Sequence, residues 1–362
     1  MPRPSFAIDR LLGTREPALR TPDSDALRRA ADVRASIDPT RLAAVVASLP
    51  GPRSRLHAPE ALEAAELAIA EELVRCGWVV ERQPFHVDHE PGVFDVPAGK
   101  RTTVYPTLDG ANLVAVREGT NREAIVVVAH HDTIRDSAGA DDNGSGMAVL
   151  LEVGRILGGS SPTPPRTLVL AFPDFEEIGL IGSRVLVERL RAERPVSAAI
   201  VLDAVGFRSR APRSQHVPPG IEAIYPGPGR RMRASDWAAD FVAILYRRSS
   251  RPLARRFGEV LAALPAPTPS VLLRDPLDLR TVGPLLRRVS LARNFSRSDH
   301  QRFWDAGIPA ILVSDTGNFR NPHYHRPSDT AATLDPELLA DVAAATVLTV
   351  EALIEGIPPP RR

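Results

Sequence analysis

The segments IVVVAHHD (residues 125–132), TLVLAFPDF (167–175) and AAIVLDAV (198–205) decide the fold, because each contains a continuous run of apolar residues. Such runs are typical of strands buried on both faces, as in a parallel or mixed sheet covered by helices. Stretches with helical spacing lie between them, at 145–157 and 181–191. This alternation predicts an α/β fold, a three-layer sandwich with a central mixed, mostly parallel sheet and helices on both faces.

Further elements extend the pattern in both directions along the chain. Capped helices are predicted at 38–49 and 59–77, strands at 78–87, 112–116 and 308–315, and a last helix at 335–355. Frequent turns are expected between Pro91 and Pro106. Residues 1–38 lack a clear period and are predicted to be a loosely ordered N-terminal arm. Residues 39–362 are then expected to form a single catalytic domain.

Residues 207–297 interrupt the alternation and are predicted to be an Arg-rich insertion, with a strand at 240–246 and a helix at 255–264. The segment holds 17 arginines against 6 acidic residues. Because Lys100 is the only lysine in the chain, this arginine content also fits GC-rich codon usage. The local excess of positive charge leads to the hypothesis that substrates carry acidic groups or a free C-terminal carboxylate.

Composition narrows the class of protein. With 362 residues, 43% of them hydrophobic, the chain can bury a large core without disulfides. Cys76 is the only cysteine, so a Cys-rich zinc site is excluded and any metal must be bound by His, Asp or Glu. A net charge of +1 gives no reason to expect a nucleic-acid or membrane partner. No apolar run has the length of a signal sequence or of a membrane helix, so a cytoplasmic location is expected.

Polar residues that could bind a metal or take part in catalysis follow the predicted strands. The binding and catalytic sites of open α/β sheets are found at this position. Alternation along the strand puts His130 and Asp132 on one side and His131 on the other. A carboxylate beside a metal-binding histidine fixes its tautomer, which is the role we expect for Asp132. In the glycine-framed turn GADDNGSG (139–146), Asp141 or Asp142 can cap the next helix or bridge two cations.

Three further segments add to this set. The adjacent Glu176 and Glu177 cannot point in one direction in regular structure, so one can bind metal while the other faces the substrate. Asp203 follows four apolar residues, where an unpaired carboxylate is costly. The loop NPHYHRPSDT (321–330) offers two histidines, His323 and His325. Two histidines, three metal-binding acids and one free acid have the composition of a binuclear hydrolytic site.

In order along the chain, six motifs resemble those of the zinc-dependent aminopeptidases of clan MH: HHD, GADDNGSG, EEIGLIGS, VLDAVG, SDHQRFWDAGIPA and YHRPSDT. The resemblance covers about residues 40–356 and implies the zinc exopeptidase fold. Glutaminyl cyclases and the transferrin-receptor group are relatives of these enzymes. The resemblance to the aminopeptidases implies one zinc bound by His130, Asp142 and Asp203. Asp142 then bridges to a second zinc bound by Glu177 and His325, which selects Asp142 over Asp141 and His325 over His323.

The resemblance also implies roles around the metals. Glu176 matches the general base, Tyr324 a tyrosine that polarises the scissile carbonyl, and Arg297 an arginine that organises the amino end of the substrate. Asp299 and His300 match a motif that supports the site. The implied function is a metal-dependent aminopeptidase, with two divalent ions, zinc first, acting on peptides with a free N-terminus. The alternatives are a glutaminyl-cyclase-like acyltransferase, which uses one zinc, and a non-catalytic interaction module of the same fold.

Overall fold

Within the residues described by the computed structural model (14–96, 99–159, 162–278 and 293–356), eight strands form one mixed sheet in the order β1-β2-β4-β3-β5-β8-β6-β7. The strands are β1 (Val79–Val96), β2 (Gly99–Arg117), β3 (Asn121–Val128), β4 (Arg166–Phe172), β5 (Val196–Leu202), β6 (Val242–Tyr246), β7 (Ser270–Arg274) and β8 (Ala310–Ser314).

Ten α-helices accompany the sheet in this part of the chain. They are α1 (Ser24–Ala35), α2 (Pro39–Ser48), α3 (Pro59–Arg75), α4 (Gly146–Leu157), α5 (Ile181–Glu193), α6 (Ile221–Ile224), α7 (Pro226–Ala234), α8 (Arg251–Ala263), α9 (His300–Asp305) and α10 (Pro336–Ile354). None of these helices combines the length and the hydropathy that a membrane span requires.

The middle of the sheet is parallel. Strand β3 pairs in parallel with β4 and β5, and β5 pairs in parallel with β8. The last residues of β3, β4 and β5 are fully buried. Because parallel strands end at the same edge, the segments after β3, β4 and β5 meet there. The predicted fold class, a three-layer α/β sandwich, is confirmed.

Helices cover both faces of the sheet. On one face, α10 lies against α4 and α8, and its residues are buried nearly all round. Asp335 caps this helix by accepting bonds from the backbone N–H groups of Glu337 and Leu338. On the other face, Leu186 of α5 and Phe303 of α9 lie in the second core. The two apolar cores, one on each face, pack against the sheet beneath the edge where its strands end.

The prediction of a loosely ordered arm is wrong for Ser24–Ala35, which form α1. Asp23 caps the helix by accepting a bond from the Ala26 backbone N–H, and Ala30 and Val33 are buried. Arg34 binds Asp341 of α10 at 2.7 Å. Only two residues of α1 are buried, so its sequence carries a weak period and its position depends on contacts distant in sequence.

The expectation of frequent turns between Pro91 and Pro106 is also wrong. Apart from residues 97 and 98, which lie outside the described residues, this segment belongs to a long antiparallel ribbon of β1 and β2, in which Pro91 lies opposite Val104. Strand β4 pairs with β2 only over Leu113–Arg117, so the outer ribbon has free edges that tolerate proline. The Val93 N–H donates to the Ile178 carbonyl at 2.8 Å. The ribbon therefore rests on the loop that follows Glu177.

The described part of the Arg-rich segment, residues 207–278 and 293–297, contributes two strands to the sheet. Its predicted strand and helix correspond to β6 and α8, whereas β7 was not predicted. Several of its arginines form ion pairs within the described part of the chain, among them Arg247 with Asp275 and Arg274 with Asp278, each at 2.8 Å. These pairs neutralise part of the positive charge that suggested acidic substrates.

Candidate metal centre

His130 lies just beyond β3, with its imidazole facing a group of carboxylates. Its Nε2 is 3.2 Å from Asp142 Oδ1 and 3.8 Å from Asp203 Oδ1. Its Nδ1 is 3.2 Å from the Asp132 carbonyl oxygen and 3.5 Å from Asp132 Oδ1. His131 points the other way, toward Glu66 and the Pro173 carbonyl. The structure thus brings His130 and Asp132 together and separates both from His131.

The glycine-framed turn separates its two aspartates. Asp142 faces both candidate histidines, with Oδ2 3.0 Å from His325 Nε2. Asp141 instead accepts bonds from the Gly206 N–H at 2.9 Å and from Asn321 at 2.7 Å. Asp329 accepts bonds from the backbone N–H groups of Asp141 and Asp142, at 3.0 and 3.2 Å, and so holds the turn. Of the two, Asp142 is the carboxylate placed between the histidines.

The adjacent glutamates diverge from a backbone held by Asp132. Its Oδ1 accepts from the Glu176 N–H at 3.1 Å and its Oδ2 from the Glu177 N–H at 3.3 Å. Glu177 Oε2 lies 3.2 Å from His325 Nε2, whereas Glu176 Oε2 lies 4.0 Å from His130 Nε2. Asp132 therefore orients one histidine and both glutamates.

Two sets of three residues can each hold a metal ion, and they share Asp142. One set is His130, Asp142 and Asp203, and the other is Asp142, Glu177 and His325. Two buried ligand atoms, His130 Nε2 and Glu177 Oε1, have no hydrogen-bond partner among the described residues. Unpartnered buried nitrogen and oxygen atoms that converge in this way fit a divalent cation such as zinc, and N and O ligands also accept manganese or cobalt.

A third group, Glu66, His131 and Asp174, also has the spacing of a metal site. Arg55 fills it, forming ion pairs with Glu66 and, at 2.5 Å, with Asp174. Since a guanidinium already neutralises both carboxylates, this group is a buried ion network.

The pKa values of the carboxyl groups at the site are shifted because these groups are buried and lie close to one another and to histidines. Burial, with the carboxylates of Asp203 and Glu177 nearby, raises the pKa of Glu176 well above its ordinary value. Burial also raises the pKa of Glu177, to about 7. Burial acts in the same direction on Asp142, but the rings of His130 and His325 outweigh it and hold the pKa of Asp142 well below its usual range. Asp142 is thus charged where both ligand sets need it.

Tyr324 and Arg297 lie together at the rim of the site. Arg297 donates to the Tyr324 hydroxyl at 3.3 Å and to Asn318 at 2.8 Å. The Tyr324 ring stacks on His325, with ring centres 3.8 Å apart. The resemblance assigns these two residues to the substrate, and the structure brings both to the edge of the candidate metal ligands.

Asp299 and His300 are fully buried beneath the site. Burial raises the pKa of Asp299 to about 7 and lowers that of His300 to about 4. His300 Nε2 is 2.9 Å from the Phe295 carbonyl. Neither residue belongs to the two candidate ligand sets.

A cavity of about 140 Å³ opens beside Asp203 and Tyr324. Its lining is largely apolar and includes Met232 of α7, Leu245 of β6, Val271 of β7 and Leu312 of β8. Among the described residues that line it, Arg297 is the one arginine. The Arg-rich segment therefore contributes apolar walls to this cavity.

Sequence reasoning missed two residues that support the ligands. Asp329 lies within the YHRPSDT motif, but nothing in that motif showed that its carboxylate would accept the backbone N–H groups of a distant turn. Arg53 lies in the linker between α2 and α3 and contacts both ligand-bearing loops. No local pattern distinguishes it from the other arginines of the chain.

Comparison with known proteins gives the family. Residues 112–227 and 282–350 match peptidase family M28. The chain belongs to this family. A protein of Escherichia coli (strain K12) described as "Uncharacterized protein YfbL" is 31% identical over 248 residues, which are 65% of this chain and 69% of that protein. As a member of family M28, the protein is a hydrolase of the peptidase class.

Two proteins with named activities are also similar to this M28 peptidase. "Aminopeptidase YwaD" of Bacillus subtilis (strain 168) is 37% identical over 101 residues, 26% of this chain, and the match spans about a fifth (22%) of that protein. The structure of a zinc aminopeptidase from Bacillus subtilis superimposes with a TM-score of 0.60 at 15% identity, covering 86% of this chain and 94% of the other. At that identity the superposition shows a shared fold.

Proposed function

We propose that this M28 peptidase is a metal-dependent aminopeptidase that hydrolyses the N-terminal peptide bond of peptides. It uses two divalent ions for this reaction, and zinc is the metal we propose. The observation that carries the proposal is the pair of ligand sets joined by Asp142, with the Glu176 carboxylate beside them. All five ligands, His130, Asp142, Glu177, Asp203 and His325, are present. This is why a one-metal cyclase or a non-catalytic module is not the function favoured here.

Divalent ions held by the two candidate ligand sets would polarise the scissile carbonyl as Lewis acids and would lower the pKa of a nearby water molecule. Glu176 acts as general base: its carboxylate takes a proton from water as the water oxygen attacks the carbonyl carbon. Glu176 then gives the proton to the leaving amine nitrogen as the carbon–nitrogen bond breaks. Asp132 keeps Glu176 in place through the backbone bond.

The surrounding side chains support binding of the amino end. The carboxylates around Asp203 attract a protonated α-amine. The Tyr324 hydroxyl oxygen accepts a bond from Arg297, so its O–H group can donate a hydrogen bond to the scissile carbonyl oxygen. Arg297 holds this hydroxyl at the edge of the ligands.

The apolar cavity beside Asp203 is the proposed pocket for the first side chain of the substrate. A dry cavity of about 150 Å³ lined by aliphatic and aromatic residues accommodates a benzene ring, so this one has room for a large apolar side chain. We therefore expect leucine or phenylalanine at the N-terminus to be preferred over aspartate or glutamate, contrary to the hypothesis based on arginine content.

The test is hydrolysis of a panel of aminoacyl anilides and their N-acetylated counterparts by protein with added zinc and by protein treated with a chelator. We expect chelator-sensitive release from the free-amine leucine and phenylalanine anilides and none from the acetylated controls. An N-terminal glutaminyl peptide in the same panel tests for cyclisation. Release from acetylated substrates, or cyclisation without anilide hydrolysis, would contradict the proposal.

A further inference from the structure

Arg53 is one of the largest side chains to be completely buried, with 1% of its surface exposed. No carboxylate among the described residues lies within ion-pair distance of its guanidinium. A buried cation without a direct counter-ion is costly unless its donors are satisfied. Its donors therefore show what holds this residue in place.

The guanidinium donates to backbone carbonyl groups of both ligand-bearing loops. Nε donates to the His131 carbonyl at 3.1 Å, in the segment that carries His130 and Asp132. Nη2 donates to the Gly139 carbonyl at 2.9 Å, at the start of the turn that carries Asp142. Nη1 donates to the Pro50 carbonyl at 2.9 Å and so ties both loops to the linker before α3.

The backbone of Arg53 strengthens the same connection. The Arg53 N–H donates to Thr133 Oγ1 at 2.9 Å, and the Thr133 N–H donates to the Arg53 carbonyl at 2.7 Å. One residue thus fixes the end of the His130 loop through its backbone and the Asp142 turn through its side chain. A planar guanidinium can hold several carbonyl groups in one fixed arrangement, which a lysine ammonium cannot.

We propose that Arg53 is a positioning residue of the metal centre, holding the His130 loop and the Asp142 turn at the separation that metal binding requires. The proposal rests on the proposed function, because it assumes that His130 and Asp142 bind metal. Arg53 lies outside residues 112–227 and 282–350, so the family match does not include it. Ligands held by hydrogen bonds to neighbouring groups lose about 10- to 100-fold in metal affinity when those groups are removed.

The test is Arg53→Lys, which keeps the positive charge and removes the planar set of N–H donors of the guanidinium. Cobalt binding to the metal-free protein is measured by calorimetry, and the visible spectrum of the cobalt protein reports the ligand geometry. We expect the cobalt affinity to fall at least about 10-fold and the spectrum to change. Arg34→Lys is the matched control, because Arg34 joins α1 to α10 through ion pairs away from the ligands. We expect it to leave both readouts unchanged.

The outcomes separate the two proposals. Wild-type protein that binds no cobalt at the two ligand sets contradicts the proposed function. Wild-type binding with an Arg53→Lys protein of equal affinity and identical spectrum overturns the role of Arg53 alone. If Arg53→Lys does not fold, Thr133→Val offers a second test, because it removes the hydroxyl that accepts the Arg53 N–H and keeps the side-chain volume. We expect it to weaken cobalt binding in the same direction, and unchanged affinity would overturn the proposal.

Discussion

Glu176 and Glu177 are neighbours in sequence, yet only Glu177 belongs to one of the two candidate ligand sets. We therefore expect different losses when each is changed to glutamine. Glu176→Gln removes the proposed proton acceptor and keeps both candidate ligand sets, so kcat should fall by about 100-fold or more while the metal content stays at the wild-type value. Metal analysis and leucine-anilide kinetics of the purified variant are the measurements.

Glu177→Gln is the matched control for this prediction. It replaces one ligand carboxylate, so it should lower both activity and metal content. A Glu176→Gln protein as active as the wild type would contradict the proposal that Glu176 is the general base. A Glu176→Gln protein that loses metal would show that Glu176 is a metal ligand. It would then not be the unbound carboxylate that serves as general base.

At the level of elements, the strands that could be predicted from the sequence are those whose apolar runs are continuous. Strands β3, β4 and β5 are buried in the middle of the sheet, so their own residues determine them. Helix α1 and the outer part of the ribbon, where turns were expected, were missed because their structure depends on distant partners: Asp341 for Arg34, and Ile178 for Val93. Local pattern contains no information about such contacts.

The residues of the candidate site also divide into those that could be predicted from local sequence and those that depend on distant contacts. Residues at strand ends, such as His130 and Asp203, could be predicted because the sheet brings its carboxyl ends to one edge. The distinction between Asp141 and Asp142 required the family resemblance, because it depends on the path of a turn held by Asp329. Arg53 could not be found in advance, since nothing near it in sequence indicates which carbonyl groups it contacts.

Strand β7 lines the apolar cavity through Val271 and Leu273. Val271→Phe places a larger side chain in that space, so large substrate side chains should be excluded. We expect kcat/KM for the leucine anilide to fall at least about 10-fold relative to that for the alanine anilide, because a packed apolar site does not accept extra volume. Val79→Phe, at an exposed position of β1 remote from the cavity, is the control. An unchanged leucine-to-alanine ratio would contradict assignment of the cavity to the first side chain.

For the whole molecule, the buried carboxylates make the stability of the metal-free protein depend on pH. The raised pKa of Glu177, Asp299 and Asp329, each about 7, means that the folded chain binds more protons than the unfolded chain between about pH 4.5 and 8. This contribution to stability falls as pH rises through that range. Burial lowers the pKa of His131 and His300, which has the opposite effect below about pH 6.5. Above that pH the carboxylates dominate.

Thermal unfolding in chelator should therefore give a Tm that falls by several degrees between pH 6.5 and 8. Zinc should raise Tm more at pH 8 than at pH 6.5, because ionised carboxylates bind the cation better and bound metal stabilises only the folded state. Glu177→Gln in chelator is the control: with one titrating carboxyl removed, its Tm should fall less over the same interval. If the wild-type Tm in chelator is constant or rises from pH 6.5 to 8, the carboxylates are already ionised without metal. The folded chain would then stabilise the charges of its ligands by other contacts, and the ions would not be needed to offset their repulsion.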